Sequence, residues 1–493
     1  MSAEITKGIY EKFARDTGIM IFVHIITALR SVILLPIIAK TLDASSYGIW
    51  AQVSVTLLLV FPLCTLGMDY ALNRFLPHKT DREEIGEIFF SAIAVVLGCS
   101  VVITAVILLL RNQIADTLFG DISMVSVVVL MAATLLFRAV ASVCTNYFRA
   151  FRQTKTYATL SVALVVAEIG LVSYLVLVGY GILGAVFALL IIRVLIFIVG
   201  VGLIIRQVGV RAPHFINMRA YLGFSIPLMI LPLIWWVLSW SDRYIIAIFL
   251  DTAQVGIYSA AYIIGSACAV YLGPLTDLML AALSKLYEER KIAEVKTILS
   301  HSLKYLVMLV IPSAFGVSVI GMPLLLLFTT VEFAIVNPAV IPLIASAAAI
   351  FAVSSIMVYS LQLTKRTRLI ALVWLTAALA NLGLNFALIP WVGILGAAIS
   401  TFFSFAFASV IVSYFSLKSL SFVIDWLFII KSIIASGVMS VVLCFVAPTG
   451  WLGVILWIIA GASIYFIALF LLRGLTIDEI KSLAGLFKRA LLR

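Results

Sequence analysis

Long apolar runs separated by short polar or charged stretches recur from residue 18 to residue 472. They predict membrane spans near 18–41, 47–70, 87–110, 122–147, 157–178, 182–205, 222–250, 253–280, 303–328, 336–361, 369–389, 393–417, 425–447 and 451–472. Each run, as a helix, is long enough to cross ~30 Å of hydrocarbon. The pattern therefore predicts an all-α polytopic membrane protein with about 14 transmembrane helices. Residues 1–17 carry both charge signs, and the span after them contains an arginine, so the first helix is expected to be retained rather than cleaved as a signal peptide.

The same pattern repeats. Residues 42–50 read LDASSYGIW and residues 250–258 read LDTAQVGIY, an offset of 208. GILGA occurs at 181–185 and again at 393–397, and a Thr-Lys pair at 154–155 recurs at 364–365. Three landmarks in one order at nearly one spacing imply an internal duplication. Each copy holds six spans, an even number, so the copies enter the membrane in the same orientation and form two lobes related by a parallel repeat. The expected organisation is an N-lobe at 1–205, a basic inter-lobe linker at 206–220 on the cytoplasmic surface and a C-lobe at 221–418. Two extra helices follow at 419–474. An interfacial amphipathic helix at 475–493 opens on the capping box Thr476-x-x-Glu479. The stretch 283–305 also alternates charge with apolar residues at helical spacing and reads as a second surface helix.

Composition strengthens the membrane assignment. Of 493 residues 64% are hydrophobic and 11% charged, where a soluble chain carries about 25% charged residues. The net charge of +11 is a matter of topology. With the N-terminus inside, 25 of the 33 Lys and Arg residues fall in cytoplasmic segments, and only Lys40 and Arg111 lie outside. The positive-inside rule then puts both termini in the cytoplasm, and nucleic acid is not an expected partner. The five cysteines all lie in apolar spans without metal-like spacing and read as small buried hydrophobes. The outer loops are short and leave no room for a catalytic domain.

Charged residues inside the spans are where function is expected, because each costs roughly 2.5–3.5 kcal/mol at the centre of a membrane helix. The N-lobe places Arg30, Arg138, Glu168 and Arg193 there, with His24 in the first span. Arg30 lies about 18 Å along its helix at ~1.5 Å per residue, too deep to reach an interface. Two readings stay open: a closed pair with Glu168, or a wet cavity. Three arginines against one glutamate leave the lobe positive, which favours an anionic substrate group, phosphate in particular. Asp69, Arg74, Asp277 and Lys304 sit near span ends, from which they can snorkel.

In the C-lobe, the stretch WSDRY (240–244) carries Asp242 and Arg243 side by side in apolar sequence. Adjacent side chains on a helix point about 100° apart, so the two need not pair, and the arginine is expected to face the cavity with Arg30. Asn381 and Asn385 share a helix face, and Thr401 follows the second GILGA. With Asp242 these offer oxygen ligands for a hard monovalent cation such as sodium; the plainer reading is polar glue between helices. Pro227 and Pro232 predict a bent seventh span. Trp235, Trp236 and Trp240 are either stacking platforms for sugars or packing residues.

LPIIAKTLDASSYGIWAQ (35–52), LGMDYALNRFLP (66–77), SWSDRYIIAIFLDTAQVGIYSAAY (239–262) and the paired GILGA segments carry a family likeness along essentially the whole chain. Together they resemble the polysaccharide-transport branch, with its Wzx-type O-antigen-unit flippases, of the multidrug/oligosaccharidyl-lipid/polysaccharide flippase superfamily. The resemblance implies a two-lobed transporter, not an enzyme, in the plasma (inner) membrane of a prokaryote. Its expected cargo is a lipid-linked oligosaccharide, moved from the cytoplasmic to the outer leaflet by alternating access, with a polysaccharide polymerase or ligase as downstream machinery. It matches Arg30 to first-span arginines of the family. It also matches Asp242, Asn381, Asn385 and Thr401 to a cation site of related peptidoglycan-precursor flippases, although an amide stands here at the second position of span 11. No resident cofactor is expected beyond sodium or proton coupling. The alternatives are a cation-coupled multidrug exporter, whose pocket should be acidic, and a membrane glycosyltransferase or polymerase, which needs a soluble loop and a clustered acid–base or metal site.

Overall fold

The structure is a computed structural model that describes residues 2–270, 272, 279, 283–445, 448 and 450–474, with side chains from residue 18 onward apart from residue 21. The expected interfacial helix at 475–493 and Asp277 lie outside the described residues. In chain order the helices are α1 (Ser2–Thr41), α2 (Ala44–Thr65), α3 (Met68–Phe75), α4 (Arg82–Leu109), α5 (Arg111–Ile114), α6 (Val125–Ala150), α7 (Thr154–Leu175), α8 (Gly181–Val208), α9 (Met218–Leu228), α10 (Ile230–Phe249) and α11 (Thr252–Ser266). There follow α12 (Ile292–Phe328), α13 (Val340–Leu363), α14 (Thr367–Val392), α15 (Ile394–Ser419), α16 (Trp426–Cys444) and α17 (Gly450–Leu471). Among the described residues 12 stretches are long and apolar enough to cross a membrane, and one of them, Thr154–Val208, contains both α7 and α8. The protein is an all-α, multi-pass membrane protein. The expected span at 253–280 begins as α11 and then runs into residues outside those described.

By contact the chain divides into two compact units. The first comprises Met1–Ala260, Phe328–Phe333 and Ala378–Ser400; the second comprises Ala261–Leu327, Ala334–Ala377 and Thr401–Arg493. In the first unit α6 is the central post: α4, α8, α2 and α3 pack on it, while α1 packs along α7, and α10 along α2. Lipid-facing and core-facing residues are both apolar, so burial rather than hydropathy separates them. Val102 on α4 is exposed, whereas Ala139 and Val140 on α6 are buried. The 206–220 linker is pinned to the start of α4, where Arg211 Nη2 donates to Glu83 Oε1 (2.6 Å) and Ser91 Oγ donates to the His214 carbonyl (2.9 Å). In the second unit α16 and α17 pack as a pair, joined by Ser432 and Tyr465 hydroxyls 2.9 Å apart.

Three local departures from the simple span pattern have visible causes. The span expected at 47–70 breaks at Leu66 and Gly67, both left-handed (φ 48° and 66°), and restarts as α3. The seventh span is interrupted where its two prolines predict a bend: α9 ends at Leu228 and α10 starts at Ile230, with Pro232 in the new first turn, where a missing N–H costs nothing. The expected surface helix at 283–305 is not separate. The chain turns at Arg290 (φ 60°), and α12 then runs unbroken from Ile292 to Phe328. At ~1.5 Å per residue that is about 55 Å, so its charged first turns extend beyond a ~30 Å hydrocarbon layer.

The repeated LD…GI motifs meet. Asp43 Oδ1 accepts from Ser46 N (2.7 Å) to cap α2, and Asp251 Oδ1 accepts from Gln254 N (2.7 Å) to cap α11. Gly48, the fifth residue of α2, abuts the carbonyl of Thr252, the first residue of α11. Gly256, the fifth residue of α11, abuts the carbonyl of Ala44, the first residue of α2. Such reciprocity is what a two-fold relation between two copies produces.

Candidate functional site

Glu168 organises the positive cluster of the first unit. It projects from α7, is 1% exposed, and gives one oxygen to each of two arginines: Oε2 to Arg30 Nη1 and Oε1 to Arg193 Nη2, both at 2.6 Å. Three helices are thereby tied at membrane depth. Of the two alternatives left open by the sequence, these residues take the closed pairing, although Arg30 keeps 36% of its side chain exposed. His24, on the same helix, is exposed.

Arg138 on α6 is different. No carboxylate among the described residues lies within ion-pair distance of it; its guanidinium rests 4.9 Å from the centroid of the Phe61 ring. It borders a cavity of about 320 Å³, together with Asp69, Tyr70, Trp235 and Trp240. Both helix breaks open onto this space, since Gly67 and Met229 line it. They also brace each other: Ser225 Oγ donates to the Leu66 carbonyl at 2.8 Å, and a Cβ on Gly67 would lie 2.6 Å from the Ser225 carbonyl. Irregular backbone at membrane depth is tolerated where it lines a cavity of this kind. The charged side chains in its lining are Arg138 and Asp69, one of each sign.

The tryptophans differ in exposure. Trp236 packs, its Nε1 donating to the Val55 carbonyl (2.9 Å), whereas Trp235 is 39% exposed. Asp69 was legible only as a span-end residue. The signal for its place was the LG of LGMD, a helix stop directly before it.

Arg243 corrects an expectation. It does not face a cavity with Arg30 but is 1% exposed, and it pairs with its neighbour: Nη1 lies 2.6 Å from Asp242 Oδ1. The side chain curls back along its own helix, so Nη1 also donates to the Ser239 carbonyl (2.9 Å), and the 100° offset at Cα is overcome by the length of the arginine. The guanidinium lies 4.8 Å from the Trp240 ring centroid and 5.0 Å from that of Tyr258. Tyr258, which the sequence reading passed over, donates its hydroxyl to Asp242 Oδ2 (2.7 Å), and Gln52 Nε2 donates to the Arg243 carbonyl (2.8 Å).

The remaining candidate ion ligands are buried. Asn385 Nδ2 donates to Asn381 Oδ1 (2.9 Å) on α14, while Asn381 Nδ2 and Asn385 Oδ1 have no hydrogen-bond partner among the described residues. Thr401, on α15 in the second unit, is 1% exposed, and its hydroxyl is likewise without a partner. These neutral oxygens suit a cation, but the carboxylate does not: both oxygens of Asp242 are already engaged by donors. A sodium ion at Asp242 does not fit this arrangement.

Two broken helices thus lie beside a buried cationic cluster in a helical membrane protein, and comparison with known proteins places that arrangement in a family. The sequence profile described as polysaccharide biosynthesis protein matches residues 13–286, more than half of the chain, and the chain belongs to that family. It is 24% identical over 406 residues to the probable low-salt glycan biosynthesis flippase Agl15 of Haloferax volcanii, covering 81% of this chain and 84% of that protein. Its fold is similar to that of the lipid II flippase MurJ in an inward closed conformation, with a TM-score of 0.73 and 18% identity over 97% of this chain and 100% of that one. A multidrug resistance MATE family transporter of the MOP superfamily, inward-facing, aligns at a TM-score of 0.68 and 13% identity over 80% of this chain and 94% of that one. The resemblance read from the residues is thus upheld at the level of fold and family.

Proposed function

We propose that the protein is a flippase that carries a polyprenyl-pyrophosphate-linked oligosaccharide from the cytoplasmic to the outer leaflet by alternating access. The observation that carries this reading is that Arg138, which has no carboxylate within ion-pair distance among the described residues, lines one cavity with the partly exposed Trp235. A guanidinium presents a planar fork of donors to phosphate oxygens, and an indole face suits the apolar face of a sugar ring. The Glu168-bound arginines add a fixed positive field without being mobile themselves. The polyprenyl tail needs no protein site, because it is as apolar as the surrounding lipid.

The 25-to-2 distribution of basic residues supports a plasma membrane topology with both termini cytoplasmic. A polysaccharide polymerase or ligase is the class of partner that would consume the flipped product. In proteoliposomes, a fluorescent lipid-pyrophosphate oligosaccharide is expected to become accessible to a membrane-impermeant quencher only where the protein is present. Export of a cationic dye with no movement of the lipid would refute the reading.

A further inference from the structure

We infer that the guanidinium of Arg243 is a covalently tethered cation that takes the place of a coupling ion at Asp242, so that the protein binds no sodium there. A carboxylate at membrane depth needs positive charge beside it, from an ion taken up in each cycle or from a side chain that never leaves. Here the charge is built in. Asp242 Oδ1 receives two donors from Arg243, the backbone N–H at 2.9 Å and Nη1 at 2.6 Å, and Oδ2 receives the Tyr258 hydroxyl at 2.7 Å. The guanidinium is held in turn by the Ser239 carbonyl and by the rings of Trp240 and Tyr258, and Gln52 fixes the backbone carbonyl of the same residue.

A sodium ion would have to displace a donor from a filled carboxylate and then sit beside a second positive charge in surroundings of low dielectric, where like charges repel strongly. The asparagine pair cannot replace the carboxylate. One amide oxygen is spent on its neighbour, and what remains is neutral. The set of residue types that reads in sequence as a cation site is therefore closed by the residue next to its only acid. The energy for directional transport would have to come from the substrate side, or from an ion bound elsewhere.

The inference concerns ion binding and rests on the flippase reading only where transport is the readout. Thermal unfolding of the purified full-length protein in NaCl and in choline chloride of equal ionic strength tests it first. The wild type is expected to show the same Tm in both. Arg243→Ala, which leaves Asp242 without a counter-ion, is expected to lose several degrees in choline. It should regain them in NaCl or with guanidinium at sub-denaturing concentration. Asp242→Asn combined with Arg243→Ala is expected to respond to neither cation. If the single variant does not fold, recovery of folded protein in the double variant shows that the orphaned carboxylate is the cause, and the wild-type comparison still decides. A Tm of the wild type that rises with sodium, or Arg243→Ala protein rescued by neither cation, overturns the inference. In the transport readout, lipid flipping by the wild type is expected to be unchanged by a sodium gradient, and a requirement for one would overturn the inference. Absence of flipping under every condition, with sodium-insensitive Tm, would refute the transport reading and leave this one standing.

Discussion

Gly48 lies so close to Thr252 that a Cβ added at the glycine would sit 1.8 Å from the Thr252 carbonyl oxygen, and the repeat-related Gly256 stands 2.2 Å by the same measure from the Ala44 carbonyl oxygen. Both neighbours are backbone, so neither can rotate away. Gly48→Ala and Gly256→Ala are each expected to destabilise by more than the ~1–3 kcal/mol typical of overpacking. One displacement of the crossing helices relieves both clashes, so the double variant should cost less than the sum of the singles. Thermal unfolding in detergent checks both statements.

The caps of the same two helices give a milder pair. Asp43→Ala and Asp251→Ala each remove one side-chain acceptor from a helix start. Each is expected to cost about 1 kcal/mol, and the two losses should match because the sites are copies. Separate denaturation of the two variants would show it, and sharply unequal costs would speak against the shared role.

Glu168→Gln leaves Arg30 and Arg193 without their common partner. Removing one member of a buried ion pair costs roughly 3–5 kcal/mol. The Arg193 arm should dominate, since Arg193 is 15% exposed and Arg30 36%. Adding Arg193→Met to Glu168→Gln is expected to recover part of the loss, which a double-mutant cycle on Tm measures.

Much of this architecture was legible from residues alone, for physical reasons that also explain the failures. Apolar runs report helices reliably because lipid leaves the backbone no other economical pairing. Pro227 and Pro232 announced the interruption before α10, since proline removes a donor wherever it stands. The break at Leu66–Gly67 was missed because the apolar run continues through it and outweighs the single glycine, while the close approach of Ser225 shows what holds the turn. Arg243 was misplaced by helix-wheel reasoning, which describes where a side chain leaves the backbone. A long arginine reaches back to Asp242 and Ser239 all the same. Tyr258 was overlooked because one tyrosine in an apolar helix carries no sign of what its hydroxyl meets.

Trp235 should matter for the sugar and not for the lipid phosphate. Trp235→Ala is expected to slow flipping of a lipid-pyrophosphate oligosaccharide while sparing a substrate with a single sugar, in which less stacking surface is lost. Parallel flipping rates for the two substrates provide the check.

The central claim, that the cavity bordered by Arg138 receives the phosphate of a lipid-linked glycan, is tested most directly at Arg138 itself. The measurement is the flipping rate of a fluorescent lipid-pyrophosphate oligosaccharide in proteoliposomes, at subsaturating substrate, for the wild type, Arg138→Ala and Arg138→Lys. A hydrogen bond to a charged group is worth about 1.5–3 kcal/mol, so Arg138→Ala should lose roughly ten- to a hundred-fold in rate while keeping the wild-type Tm. Lysine retains the charge without the fork and should recover only part of it. Full-rate flipping by folded Arg138→Ala protein would contradict the account.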